Sequence, residues 1–154
     1  MKTTIIATGD SFITKPLDAY DGFDEIQEVI KAHDVRFNNL EITIHKKEGY
    51  PAAFSGGTWA MTGPESLDDL NKYGFNVYNT ANNHSLDYSH GGVIKTIENL
   101  EKCGAAYCGT GIDMESASAP CYLKAGDATV ALLGACSSFH DSDIAGPCND
   151  AIFG

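Results

Sequence analysis

The stretch NVYNTANNHSLDYSHGG, Asn76 to Gly92, decides how this chain is read. It opens extended, with Val77 and Tyr78, and turns abruptly into small polar residues. Asn82, Asn83 and His84 stand together there, followed by Asp87, two glycines and a helical pattern. Asparagines suit turns because they tolerate left-handed backbone and bond to their own main chain. That does not account for a histidine set among two asparagines and an aspartate at the end of a strand.

Working outward, YSHGGVIKTIENLEKCG reads as a helix with Val93, Ile97 and Leu100 on one face and Gly104 as its stop. Upstream, Pro64 and Glu65 open a helix that Gly74 closes. Nearer the N-terminus, residues 3–8, TTIIAT, are β-prone and run into Gly9-Asp10. GFDEIQEVIKAHD places Phe23, Ile26, Val29 and Ile30 at helical spacing. VRFNNLEITI is extended, with Val35, Phe37 and Ile42 as its apolar members, and residues 45–63 read as one long loop. Downstream, AAYCGTG is a short strand and turn, and CYLKAGDATVALLGACSS is two strands around Gly126-Asp127. Strands alternating with helices predict an α/β fold: a largely parallel sheet with helices on its faces. In such sheets the loops at the carboxyl ends of the strands share one edge, where ligands bind.

The 154 residues suffice for one domain with a hydrophobic core, and 43% hydrophobic with 20% charged residues is a globular composition. A net charge of −11 argues against nucleic acid as a partner, since phosphates need clustered Lys and Arg. No apolar run reaches the roughly 20 residues of a membrane span. MKTTIIATGDSF does not read as a secretory signal, so the expectation is a cytoplasmic protein. Five cysteines without a CxxC pair point to neither a disulfide framework nor a zinc ribbon.

Three predicted strand ends deliver one kind of chemistry. TGDSF brings Asp10, NNLE brings Asn39 and Glu41, and TANNH brings Asn82, Asn83 and His84. Carboxylates and carboxamide oxygens suit magnesium, calcium and manganese, and imidazole extends the range to iron and zinc. Taken singly, each has a plainer reading: a Gly-Asp turn, polar residues at a strand edge, a hydrogen-bonded turn histidine. Gly109-Thr110-Gly111 lacks the third glycine and helix start of a nucleotide loop and is read as a turn.

The order TGDSF, NNLE, ANNHSLDYSHGGVIKTIENLEKCGAAYCGTG resembles the bacterial capsule-synthesis proteins of the CapA (poly-γ-glutamate synthesis) type, over nearly the whole chain. That family is similar to calcineurin-like metallophosphatases, so the resemblance implies a β-sandwich flanked by helices, of which residues 1–154 would be an N-terminal, incomplete part. It implies a divalent metal, manganese first with magnesium, iron or zinc as alternatives, held by Asp10, Glu41, Asn83 and His84. Asn39, Asn82 and Asp87 would orient those ligands, and His84 with Asp87 would serve catalysis. The implied activity is hydrolysis of a phosphoester or related bond in a small-molecule or polymer substrate, linked to capsule or poly-γ-glutamate production. Departures exist. Phe12 stands where metallophosphatases commonly carry a histidine two residues after the first aspartate, and His140 does not match a later ligand motif. They favour an alternative, a non-catalytic binding or scaffolding protein that keeps the fold. A half-sandwich would also expose a sheet, to be covered by a partner or a second copy.

Overall fold

A computed structural model of the chain describes residues 2–15, 21–53, 55 and 58–137. His140 and the last residues of the sequence lie outside that range. The element order is β1 (Ile5–Asp10), α1 (Phe23–Lys31), β2 (Val35–Asn39), β3 (Thr43–Ile44), β4 (Met61–Thr62), α2 (Glu65–Tyr73), β5 (Val77–Asn79), α3 (Ser89–Lys102), β6 (Ala106–Cys108), α4 (Met114–Ala117), β7 (Cys121–Ala125) and β8 (Ala128–Leu132).

The main sheet has the order β1-β2-β5-β6, and every pairing in it is parallel. Each new strand is laid beside the last, always in the same direction. Crossovers between parallel strands are right-handed in nearly all proteins, so three successive steps of this kind put α1, α2 and α3 on one face. The sequence led to helices on the sheet's faces without assigning them, and this strand order assigns α1, α2 and α3 to the same face.

Side-chain alternation divides the core accordingly. On the helical face Leu40, Ile42, Ile44, Leu67, Leu70, Tyr78 and Leu100 form one buried cluster. Fully burying a leucine such as Leu100 contributes about 2 kcal/mol. On the opposite face Val35 and Val77, with Phe37 and Ala106 beside them, pack against Ala125, Leu123 and Val130 of the antiparallel β7-β8 hairpin. Neighbouring residues along β5 thus serve different layers, because successive side chains of a strand point to opposite faces.

Two predicted elements change. VRFNNLEITI is not one strand: β2 stops at Asn39, and β3 pairs in parallel with β4, which lies inside the segment read as a loop. The break occurs because Leu40 and Glu41 turn their amides to other strand ends, Leu40 N–H to Asn79 O and Glu41 N–H to Ser11 O. Two-residue β3 survives by borrowing from α3, whose Thr96 Oγ1 accepts from Ile44 N at 2.8 Å and whose Asn99 Nδ2 donates to Ile44 O at 2.9 Å. The helix α4, unread in the sequence, is opened by a capping box between Asp113 and Ser116.

Both predicted helix stops hold. Gly74 takes φ 91° after α2 and Gly104 φ 70° after α3, the left-handed conformation that ends helices. The Gly91-Gly92 pair has a different cause, close approach. A Cβ on Gly91 would lie 2.8 Å from Glu48 O, and one on Gly49 would lie 1.9 Å from Tyr88 O. The chain following β3 crosses the first turn of α3 at backbone contact.

Candidate functional site

A parallel sheet delivers the ends of β1, β2 and β5 to one edge, and the register makes that delivery specific. Asp10 pairs with Asn39, Asn39 with Asn79, and Asn79 with Cys108, so the last residues of four strands form one row. Asn79 Nδ2 donates to Asn39 Oδ1 at 2.8 Å, and Asn39 Nδ2 donates to Asp10 Oδ1 at 2.7 Å. Asn79 in turn is held by the next loop, its Nδ2 bonding Ala81 O at 2.9 Å. An amide ladder therefore ends on a carboxylate.

Glu41 leaves the sheet two residues beyond that row and brings its carboxyl within hydrogen-bonding reach of Asp10. Burial, and then the charge and hydrogen bond of Asp10, push the Glu41 carboxyl above the usual glutamate range; His84, close enough to be felt, pulls the other way. Asp10 itself is exposed and Glu41 half-buried, so the pair opens to solvent.

His84 is buried and rigidly oriented. Its Nδ1 lies 2.8 Å from Asp87 Oδ2, which also accepts from the buried Ala60 N at 2.8 Å. A carboxylate only accepts, so the nitrogen facing it, Nδ1, is the one that donates, and Nε2 is left to meet another partner. This is the carboxylate–histidine arrangement that fixes a ring for metal binding or proton transfer. Asp87, 2% exposed, also accepts Ala52 N–H at its main-chain oxygen, so the long segment before β4 is fastened to the same residue.

The turn between them is tied down by Asn82. Its Nδ2 donates to Leu40 O at 2.8 Å and its Oδ1 accepts from His84 N at 3.1 Å, joining the exit of β2 to the histidine. Ser85 Oγ adds bonds to Thr80 O and Asn82 O. Asn83 behaves differently: among the described residues its side chain makes no hydrogen bond, and it lines a pocket shared with α4 and the segment after β8.

Glu41 thus feels both Asp10 and His84, with Asn39, Asn82 and Asp87 bonded around them. Among the described residues, no three His, Cys, Asp or Glu side chains converge closely enough to hold an ion by themselves. Phe12 fills the position two beyond Asp10 with an apolar ring, set edge-on to His84 at 5.1 Å. Sequence reasoning missed Asn79 and the Ala60 amide. Asn79 had a signal, standing two residues past Val77 on the same face of β5; the Ala60 amide had none, because main-chain donors are invisible in a sequence.

No helix among the described residues is long and apolar enough to cross a membrane. Comparison with known proteins matches residues 4–151 to the family described as bacterial capsule synthesis protein PGA_cap. Two relatives in Sinorhizobium fredii (strain NBRC 101917 / NGR234), the uncharacterized proteins y4sH and y4uA, are each 37% identical over 141 residues, covering 88% of this chain and 31% of their own length. The PGA biosynthesis protein CapA of Bacillus subtilis (strain 168) is 28% identical over 123 residues, 79% of this chain and 32% of that protein. The chain spans about a third of the length of these relatives. With the three strand-end motifs on one sheet edge and the family match running through all of them, the chain belongs to the bacterial capsule synthesis PGA_cap family.

Proposed function

We propose that this chain carries part of a divalent-cation-dependent hydrolase acting on phosphoesters or a related bond, in the service of capsule or poly-γ-glutamate synthesis. The observation that supports it most is the contact between the Asp10 and Glu41 carboxyls beside a histidine whose Nδ1 is already committed. Two carboxylates pressed together repel, and a cation between them relieves that repulsion. The donor types fit a hard or borderline cation such as manganese, magnesium, iron or zinc. Asp10, Glu41 and His84 Nε2 would hold it, with Asn83 as a further oxygen donor or a contact to substrate.

When bound, such a cation supplies Lewis acidity and lowers the pKa of water. The chain's own residues do the rest. Asn39 and Asn79 aim the Asp10 carboxylate, and Asp87 keeps the proton on His84 Nδ1, so that Nε2 is free to bind the ion or accept a proton. The same reading takes residues 1–154 as part of a metallophosphatase-like sandwich in which the β7-β8 hairpin belongs to the second sheet; its packing on the face opposite the helices supports this.

A second reading, a binding or scaffolding module, is favoured by Phe12 against His84 and by the looseness of the acidic cluster. Titrating the metal-free protein with Mn2+ by calorimetry, then assaying bis(p-nitrophenyl) phosphate, separates the two. Saturable binding lost in Glu41→Ala, with turnover lost in His84→Ala, supports the hydrolase; a folded protein that takes up no cation leaves the scaffold.

A further inference from the structure

The pocket beside the Asn82-Asn83 turn has a volume of about 220 Å3. Ala81, Leu86, Met114, Ala117 and Ala135 supply apolar wall, and among the described residues no Asp, Glu, Lys, Arg or His lines it, although the chain as a whole carries a net charge of −11. Its polar side chains are mostly occupied. Asn82 is bonded to Leu40 O and His84 N, Ser85 to Thr80 O, and Ser118 Oγ to Met114 O at 2.7 Å. Asn83 is the exception, with a carboxamide that makes no bond among the described residues. It also directly precedes His84 in the chain, so the pocket adjoins the candidate site.

We propose that this pocket is a substrate subsite for an uncharged, ring-sized group lying next to the bond to be broken, with Asn83 as its hydrogen-bonding contact. The proposal rests on the hydrolase reading and narrows the substrate class. Size supports it: an apolar cavity of about 150 Å3 accommodates benzene, so this one takes a six-membered ring with a substituent. Charge supports it too. A carboxylate entering the pocket would shed hydration and meet no cation among the described residues, a penalty that a neutral ring avoids. An anionic side group of an acidic polymer is therefore directed elsewhere on the surface.

The test uses the full chain free of metal and two matched probes, benzyl alcohol and benzoate, followed by ligand-observed NMR. Benzyl alcohol should bind at least tenfold more tightly than benzoate. Asn83→Ala should weaken it severalfold, and Ala135→Trp, at an exposed wall position, should abolish it without unfolding the protein. Glu41→Gln should leave it unchanged. Equal binding of both probes, no binding of either, or binding indifferent to both wall variants overturns the proposal. Absence of phosphoesterase turnover with intact benzyl alcohol binding removes the hydrolase reading and leaves the pocket as a site for neutral rings, so the two failures are told apart.

Discussion

Asn39 stands between Asn79 and Asp10, accepting from the first at 2.8 Å and donating to the second at 2.7 Å. The Asp10 carboxylate therefore depends for its direction on a residue two strands away. Partners that orient a ligand commonly contribute 10–100-fold to metal affinity, and Asn39→Ala is expected to weaken Mn2+ binding by about that factor. Asn79→Ala, one bond further back, should give a smaller loss of the same sign. Calorimetric titration of the two variants checks the order.

The contact of Glu41 with Asp10 carries a sign that can be tested without any substrate. Burial and the neighbouring charge raise the Glu41 carboxyl, so the folded state favours its protonated form. Stability from such a group is full at low pH and is lost as pH rises through the elevated value. At neutral pH, Glu41→Gln should make the metal-free protein more stable in urea, and should remove the extra stability that Mn2+ confers on the parent. A variant less stable than the parent in the absence of metal contradicts the repulsion.

Asp87 holds two donors, Ala60 N–H and His84 Nδ1–H, in a buried place. Asp87→Ala strands both, and each buried unpaired donor costs about 1–3 kcal/mol, for an expected loss near ~3 kcal/mol in chemical denaturation. Asp87→Asn keeps the shape and an acceptor while removing the charge, so it should fold nearly as well yet lower any hydrolytic rate far more than its stability.

His45 gives the pH dependence of folding. It is fully buried beside Tyr88, accepts from Lys47 N at Nδ1 (3.0 Å), and bonds Thr43 Oγ1 through Nε2 at 3.1 Å. Burial depresses its pKa, with Glu48 opposing more weakly. The unfolded chain then takes up the proton first as pH falls below about 6.5, so stability declines on acidification and is fully present above that value. His45→Asn, which keeps an acceptor for the Lys47 amide, should flatten that part of the urea-midpoint profile between pH 7 and 5.

Gly49 tests the crossing of the chain over α3. A methyl group there would stand 1.9 Å from Tyr88 O and 2.6 Å from Gly92 N, both main-chain atoms. Gly49→Ala should cost about 1–3 kcal/mol or more, as overpacking does. It should also disturb Asp87, to whose oxygen Ala52 is bonded three residues later. Ala at exposed Gly9, where a Cβ meets nothing within 4 Å, serves as the control.

Much of this protein could be read directly from its residues. Apolar spacing, together with Pro64, Gly74 and Gly104, determined α1, α2 and α3, because these signals act within a few residues of chain. The motifs TGDSF, NNLE and ANNH put forward Asp10, Glu41, Asn83 and His84 as candidates for the same local reason. Tertiary structure alone decided the rest. It ended β2 at Asn39, since the amides of Leu40 and Glu41 find partners on other strands, and it paired Thr43-Ile44 with Met61-Thr62 across a long segment. It chose Asn79 to support Asn39 and the Ala60 amide to support Asp87, because register and main-chain hydrogen bonds exist only once distant segments are brought together.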